Sequence, residues 1–306
     1  MGKAPSSRRE PISVVIPTRD RPAQLARCLE VLKQSVNAQD EVLVVDSASR
    51  STEVAVIAAS HGARCVRVER PGASRARNVG WRNATHPLIA FIDDDVHVAD
   101  DWADRMAEAL LAEGVAFVTG RIGVLQGQEV HDPQPVMLDP EGRRLDAHTR
   151  ADFGASANVG LHRWALEGVA GFDERIGPAT WFPGAEDKDL FDRLVLKGYV
   201  GRYDPAVSVD HDAWRSRRDR LRQQWGYGKG TGARLRLLHM RDRRRATTAA
   251  VDLLWRRGFV QGFVRVRQRW AVGAASSFLR CVGGVLGFLV ATGRLREPWP
   301  PQRHSE

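Results

Sequence analysis

Leu88-Ile-Ala-Phe-Ile92 runs without a break into Asp93-Asp94-Asp95. Five apolar residues closed by polar ones are too few for a helix, and no alternation marks an exposed side. They read as a strand buried on both faces. Such strands belong to parallel sheets covered by helices, and the flanking sequence supplies the rest of one. Upstream, Ile12-Ser-Val-Val-Ile16 has the same character, and Glu41-Val-Leu-Val-Val-Asp46 and Cys65 to Val68 read as a second and a third strand. The segments between them are helical. Leu25, Leu29 and Leu32 recur at helical spacing behind Asp20, a candidate cap, and Pro22; Ser51 to His61 and Ser74 to Asn83 follow. Downstream come a helix from Asp101 to Leu111 and a fifth strand from Val115 to Thr119. Repeated strand–helix–strand units predict an α/β fold with a mostly parallel central sheet flanked by helices. Ligands of such sheets bind beyond the carboxyl ends of the strands. Pro17-Thr18-Arg19, Asp46 and Asp93 to Asp95 stand at those ends.

The middle of the chain is less regular. Gln126 to Arg150, rich in Pro, Gly, Asp and His, reads as a long loop and hence as a lid or binding element. Glu186 to Lys197 has the pattern of an amphipathic helix, with Leu190, Phe191 and Leu194 inward and Gly198 closing it. Tyr199 to Val209 returns as a strand, and no internal repeat is present. A chain of 306 residues, 43% of them hydrophobic, is long enough to bury a full core. Cys28, Cys65 and Cys281 are too scattered for a disulfide framework or a zinc site and suit a reducing compartment. Met1 to Glu10 is polar and basic with no apolar segment behind it, so the expected location is the cytoplasm.

The net charge of +9 is unevenly spread. Ala213 to Glu306 holds 21 Lys and Arg against five Asp and Glu, or +16, which leaves −7 for Met1 to Asp212. Trp214, Trp225, Trp255, Trp270 and Trp299 fall in the same basic stretch. Three segments are expected: a disordered N-terminus over 1–11, an α/β unit over 12–212, and a basic, Trp-rich helical tail over 213–306. Arginine with interfacial tryptophan suits an anionic partner, a membrane surface or a nucleic acid. Gly226-Tyr-Gly-Lys-Gly-Thr-Gly232 has neither P-loop nor dinucleotide spacing and reads as a break between helices. Ala271 to Thr292 is mostly apolar, but its uninterrupted run, Cys281 to Gly293, falls short of the ~20 residues that span a bilayer. Arg256, Arg257, Arg265, Arg267 and Arg269 precede it. It reads first as an interfacial or re-entrant helix on anionic lipid at the inner face of the plasma membrane, next as a buried helix, and last as a spanning one.

Three adjacent aspartates at a buried strand end repel one another unless they share a cation. A divalent ion held by one or two carboxylates and by diphosphate oxygens removes that conflict, and Mg2+ and Mn2+ are hard ions suited to it. Without an ion the same residues make a solvated acidic turn. Asp46 can accept hydrogen bonds from a base N–H or a ribose hydroxyl, or serve its own turn; the chemistry leaves these open. Arg75 and Arg77, at a helix start near the same sheet edge, make either an anion site or a solvated basic face. Glu186 and Asp187 open a helix, where acids complement the dipole. Near a metal, the same position lets a carboxylate take a proton from a hydroxyl. His211, between Asp210 and Asp212, is a candidate metal ligand or a plain polar strand end.

Taken in order and spacing, Val14-Val-Ile-Pro-Thr18, Glu41-Val-Leu-Val-Val-Asp46, Gly72-Ala-Ser-Arg-Ala-Arg-Asn78, Phe91-Ile-Asp-Asp-Asp95, Gly171-Phe-Asp173 and Glu186-Asp-Lys-Asp-Leu190 with Arg193-Leu194 resemble the glycosyltransferases of family 2. The resemblance runs from Ile12 to His211 and leaves the tail uncovered. It implies the GT-A fold and an inverting, metal-dependent transfer of sugar from a nucleotide-diphosphate donor, UDP-sugar in the family at large. The acceptor would be a glycan, a lipid-linked glycan or a small molecule, in envelope polysaccharide, glycolipid or natural-product glycosylation. By the same resemblance Pro17, Thr18, Arg19 and Asp46 would line the nucleoside pocket, and Arg75 or Arg77 would approach the base or diphosphate. Asp93 and Asp95 match the DxD pattern, Asp95 as metal ligand, with Asp94 on the ribose. Asp187 would be the base, and Glu186 would hold the pocket or bind acceptor. Trp181-Phe182 would face the acceptor, unless Trp181 is simply core. Asp46-Ser-Ala-Ser departs from the family's usual Asp-Asp-Gly-Ser, which bears on the nucleoside contacts and not on the fold.

The rivals fit less of the chain. A nucleotidyltransferase wants a glycine- and lysine-containing phosphate signature, which Val14 to Arg21 lacks, and a dinucleotide dehydrogenase wants G-x-G-x-x-G where Pro17-Thr-Arg-Asp-Arg-Pro22 stands. A non-catalytic nucleic-acid or membrane-surface binder accounts for the tail and not for acidic residues gathered at strand ends. No nucleic-acid partner is therefore expected.

Overall fold

The computed structural model describes residues 9–125, 137–149, 153–212, 217–254 and 271–296. Most of the disordered N-terminus expected over 1–11, residues 126–136 and 150 of the long loop, Trp214, Trp255, Trp270, Trp299 and the arginines from 256 to 269 lie outside them. The first four strands are β1 (Ile12–Thr18), β2 (Glu41–Ser47), β3 (Arg64–Val68) and β4 (Leu88–Ile92), ordered β3-β2-β1-β4 and all parallel; β1, β2 and β4 are apolar runs, whereas β3, at the edge, is largely uncovered. Helices α1 (Pro22–Ser35), α2 (Glu53–Ser60) and α3 (Ala73–Asn83) connect them. The continuous apolar runs follow from a sheet covered on both sides. Val14, Ile16, Ala90 and Ile92 point toward α1, α2 and α4 (Trp102–Leu110), where Leu25, Leu29, Trp102 and Met106 form one core. Val15, Leu43, Ile89 and Phe91 point the other way, into a second core with Trp81, Leu190 and Leu194. Burying each of the Val, Leu, Ile, Met and Phe side chains among these contributes roughly 1.5–3 kcal/mol. Helix α3 sits so close to the sheet that a Cβ on Gly80 would lie 2.2 Å from Val15 Cγ1.

Beyond β4 the sheet is mixed. Strand β8 (Asn158–His162) runs antiparallel between β4 and β6 (Phe117–Val124); β9 (Gly201–His211) is parallel to β6, and β5 (Val96–Val98) is antiparallel to β9. Strand β7 (Arg143–Leu145) pairs with β9 off this path. The parallel character read from the sequence thus belongs to β1–β4. Because β2 and β3 lie on one side of β1 and β4 on the other, a crevice opens at the carboxyl ends of β1 and β4, the switch point where such sheets bind ligands. Short helix α5 (Arg163–Gly168) follows β8, and α6 (Glu186–Leu196) precedes β9. Asp20 does not cap α1. Arg21 takes the N-cap position without a side-chain cap bond, and the Asp20 carboxylate instead accepts the Arg50 backbone N–H at 2.7 Å.

The tail forms α7 (Arg217–Arg241), α8 (Arg243–Val251) and α9 (Ala271–Arg294). The glycine run from Gly226 to Gly232 does not break the chain, as its composition suggested; it lies inside α7. Glycines at every second position of a helix make two stripes of i,i+4 spacing on different faces. Gly228 and Gly232 meet the backbone of Arg280, Gly283, Gly284 and Gly287 on α9, whereas Gly226 and Gly230 seat on Pro183 and Gly184, just ahead of α6. Close approach of backbones, not flexibility, is what these residues provide. Phe182 and Ile176 join Ala233, Leu237, Ala291 and Leu295 in a third small core that ties the tail to the loop before α6.

Candidate functional site

At the switch point, β1 ends in Pro17 and Thr18 and β4 delivers Asp93 to Asp95. Thr18 Oγ1 donates to Asp94 Oδ2 at 2.6 Å, bridging the two strand ends. Arg21, three residues beyond β1 and at the N-cap of α1, donates to Asp94 Oδ1 at 2.9 Å and stands 3.6 Å from Asp95 Oδ2. Nothing local in the sequence distinguishes Arg21 from Arg19, which faces the same cleft half-exposed. Burial pushes Asp94 up to about 6 although Arg21 pulls it down, and Asp95 adds to the rise. Asp93 is held below the usual carboxylate range: burial opposes this, but Arg77 overrides it.

Residues Val96 to Val98 turn back as β5 and pair with the end of β9, placing Val96 opposite His211. The Asp212 N–H donates to Asp95 O at 2.9 Å and locks that register. As a result His211 Nε2 lies 3.5 Å from Asp95 Oδ1. Asp93, Asp95 and His211 each offer a ligand atom, all within 4.8 Å of one another. His211 Nδ1 is buried and makes no hydrogen bond among the described residues. Two carboxylates crowded together and a buried imidazole atom lacking a partner are what a divalent cation would satisfy, so the residues present fit the metal expected from the sequence.

Arg77 enters from α3, fully buried, and joins this cluster to α6. Its guanidinium donates to Asp93 Oδ1 at 2.8 Å and to Glu186 Oε1 at 3.1 Å. Burial and the adjacent Asp187 push Glu186 up to about 7, against Arg77. Asp187 is half-buried, lines the cleft, and accepts the Lys188 backbone N–H at 2.7 Å. The two arginines of α3 therefore part company. Arg75 turns away to Glu174 at 3.0 Å, in a smaller cavity that also holds Trp181 and Arg294. Trp181 is not core but 63% exposed, with Arg294 stacked 4.1 Å above its ring. Asp46, at the end of β2, is buried, accepting from Ser49 N at 2.9 Å and from Arg67 Nη1 at 2.5 Å. Arg67 is a second member of this corner that the sequence pattern did not single out.

The cleft above these groups has a volume of about 1810 Å³ and runs from Pro17 and Arg19 past Asp187 to Arg245 and Arg280 on the tail helices. It brings together Thr18, Arg77, Asp93, Asp94, Glu186, Asp187 and His211, with Asp95 beneath them. A cluster of this kind can hold a cation and a phosphorylated ligand at one end and expose a carboxylate to a second substrate at the other.

Glu186 carries a consequence for stability. Its pKa is raised in the fold, so folding favours the protonated form; this contribution is full below the unfolded value and is lost as pH rises through about 7. In metal-free protein, Glu186→Gln removes the cost of the buried charge. Its melting temperature relative to wild type is expected to climb between roughly pH 5 and pH 8. A difference that stays flat across that range would mean that Glu186 is ionised throughout.

Residues 13–164 match Glycosyl transferase family 2. The pre-mycofactocin glycosyltransferase of Mycobacterium tuberculosis is 29% identical over 245 residues, covering 74% of this chain and 48% of that protein. The chain spans about half the length of the curated relatives it matches. Among solved structures, the mannosyltransferase PcManGT from Pyrobaculum calidifontis, in complex with GDP-Man and Mn2+, superposes with a TM-score of 0.61 at 19% identity over 91% of this chain and 88% of that one. TarS 1-349 of S. aureus in complex with UDP gives 0.57 at 14% identity over 93% and 91%.

Proposed function

Because this chain belongs to glycosyl transferase family 2 and has the GT-A fold, we propose that it moves a sugar from a nucleotide-diphosphate donor to an acceptor hydroxyl with inversion. The observation that carries the reading is the arrangement of Asp93, Asp95 and His211 beside the cleft, linked through Arg77 to the helix start bearing Glu186 and Asp187. Asp93, Asp95 and His211 would hold Mg2+ or Mn2+, which supplies Lewis acidity for the diphosphate. Pro17, Thr18, Arg19 and Asp46 would surround the nucleoside, with Arg67 beside Asp46, and Asp94 would meet the ribose. Arg77 would set the distance between the metal cluster and α6, since its two terminal nitrogens donate to Asp93 and Glu186. Arg75, paired with Glu174, stands aside from the cleft, so a role on the diphosphate passes to Arg19 and Arg21.

In the reaction, Asp187 takes the proton of the acceptor hydroxyl as that oxygen bonds to the anomeric carbon. The bond from the anomeric carbon to the diphosphate breaks, and the nucleoside diphosphate leaves with its electron pair. Asp187 suits the base because it is open to the cleft, whereas Glu186 is buried and bound to Arg77. The donor is proposed as a UDP-sugar and the acceptor as a glycan, a lipid-linked glycan or a small molecule, at the cytoplasmic face of the membrane.

The test is donor hydrolysis and thermal shift across UDP-, GDP- and dTDP-sugars with Mn2+, comparing wild type with Asp95→Ala. Stabilisation by one nucleotide class that requires the metal and disappears in Asp95→Ala supports the reading. Stabilisation that survives both chelation and Asp95→Ala would remove the metal from it. Absence of any response to all donors, with or without acceptor, would leave the acidic cluster a structural feature.

A further inference from the structure

Helix α9 has two unlike faces. One lies against α7: Ser276, Ser277, Gly283, Gly284, Gly287 and Ala291 are buried there. The other is apolar and open. Phe278 is 68% exposed and Leu289 64%, with Val282, Val285 and Leu286 exposed between them. Their spacing of four, three, one and three residues keeps them on one stripe of a 3.6-residue helix. Leu253, just past the end of α8, lies against Gly284, and Val251 and Leu254 near it are exposed as well. Soluble monomers rarely leave such a surface uncovered.

Charge selects the occupant. Between Ala271 and Arg294 there is no acidic residue, and the tail as a whole carries +16. Arg243, Arg244 and Arg296 are exposed around these helices. A second copy of the chain would set two such tails against each other. An anionic bilayer answers both the apolar stripe and the charge. Nor can α9 cross the bilayer in this arrangement. It lies along α7, which carries Lys229, Arg234 and Arg236, and crossing would draw these cations into hydrocarbon.

We propose that the Phe278–Leu289 face of α9 docks this protein onto anionic lipid, with the helix lying in the plane of the interface. Ser276, Ser277 and Arg280 of the same helix line the cleft, so docking holds the cleft's tail end beside the lipid headgroups. The proposal is independent of the reaction catalysed.

Full-length protein is mixed with vesicles of phosphatidylcholine, with or without phosphatidylglycerol, and bound protein is separated by flotation. Binding that depends on phosphatidylglycerol is expected, with a fall of at least about tenfold in the partition coefficient for Phe278→Glu/Leu289→Glu. That variant should keep the wild-type melting temperature, because both side chains are exposed. Equal binding by the variant, or no preference for phosphatidylglycerol, would overturn the proposal. So would a concentration-dependent dimer in sedimentation that the same variant dissolves, which would assign the face to a second copy. Bound protein that resists extraction by alkaline carbonate would assign α9 a spanning role instead and overturn the in-plane geometry.

Discussion

Asp187→Asn is expected to lower kcat by ~10²–10⁴-fold while leaving donor affinity close to that of wild type, since general-base catalysis typically contributes that much. The substitution preserves size, and asparagine can still accept the Lys188 N–H that Asp187 accepts at 2.7 Å. The candidate metal ligands are Asp93, Asp95 and His211 and do not include Asp187, so a metal-dependent thermal shift by the donor should survive. The outcome separates Asp187 from Glu186. Glu186→Gln disturbs the partner of Arg77 and hence the spacing between α6 and the metal cluster, which should raise KM along with lowering kcat. A near-normal kcat for Asp187→Asn would move the base to Glu186, whose pKa of about 7 suits proton transfer at neutral pH. Steady-state rates for the two variants, at saturating donor with Mn2+, decide between them.

The parallel half of the sheet was legible because burial on both faces leaves its mark in every residue of Val14–Ile16, Val42–Val45 and Leu88–Ile92. The acids at the strand ends were legible for the opposite reason, as charges where apolar residues are expected. What long-range pairing decides could not be read in the same way. Three residues, Val96 to Val98, carry no periodicity of their own, yet their pairing with β9 is what brings His211 beside Asp95. Arg21 and Arg67 stand among many arginines, and only the tertiary arrangement shows that they face Asp94 and Asp46. The glycines of α7 failed differently. Low helix propensity argues for a break at Gly226 to Gly232, and packing against α9 and against Pro183-Gly184 overrides it. Asn158 hid β8 in the same manner: a buried side chain bonded to the carbonyls of Arg121 and Val207 makes a strand start that no propensity favours.

Asp192→Ala should produce the largest loss of stability of any single change considered. Asp192 lies on α6, 2% exposed, and accepts from Arg234 of α7 at 2.7 Å and from Arg245 of α8 at 3.4 Å. Three residues earlier, the pattern is doubled by Asp189, which burial would raise but which Arg193 and Arg241 hold down at about 2. The basic tail thus meets the acidic helix through buried pairs, not only through solvated charge. Removing one partner from such a pair leaves an uncompensated buried cation and costs about 3–5 kcal/mol. For a chain of this size that corresponds to a fall in Tm on the order of 10 °C. The same change reaches the site, because α6 begins at Glu186 and α7 presses on Pro183 and Gly184 immediately before it. Loosening α7 should therefore reduce kcat and expose the α7–α8 connection at Asp242 to proteolysis ahead of the sheet. Asp192→Leu combined with Arg234→Met, which removes both charges and fills the space, should recover a large part of the lost stability, as apolar replacement of buried pairs does elsewhere. If Asp192→Ala melts like wild type, the tail is held by the Asp189–Arg241 pair, the contacts of Gly226 and Gly230 with Pro183 and Gly184, and the third core. If the double variant is no better than Asp192→Ala, Arg245 and not Arg234 is the cation that Asp192 holds in place.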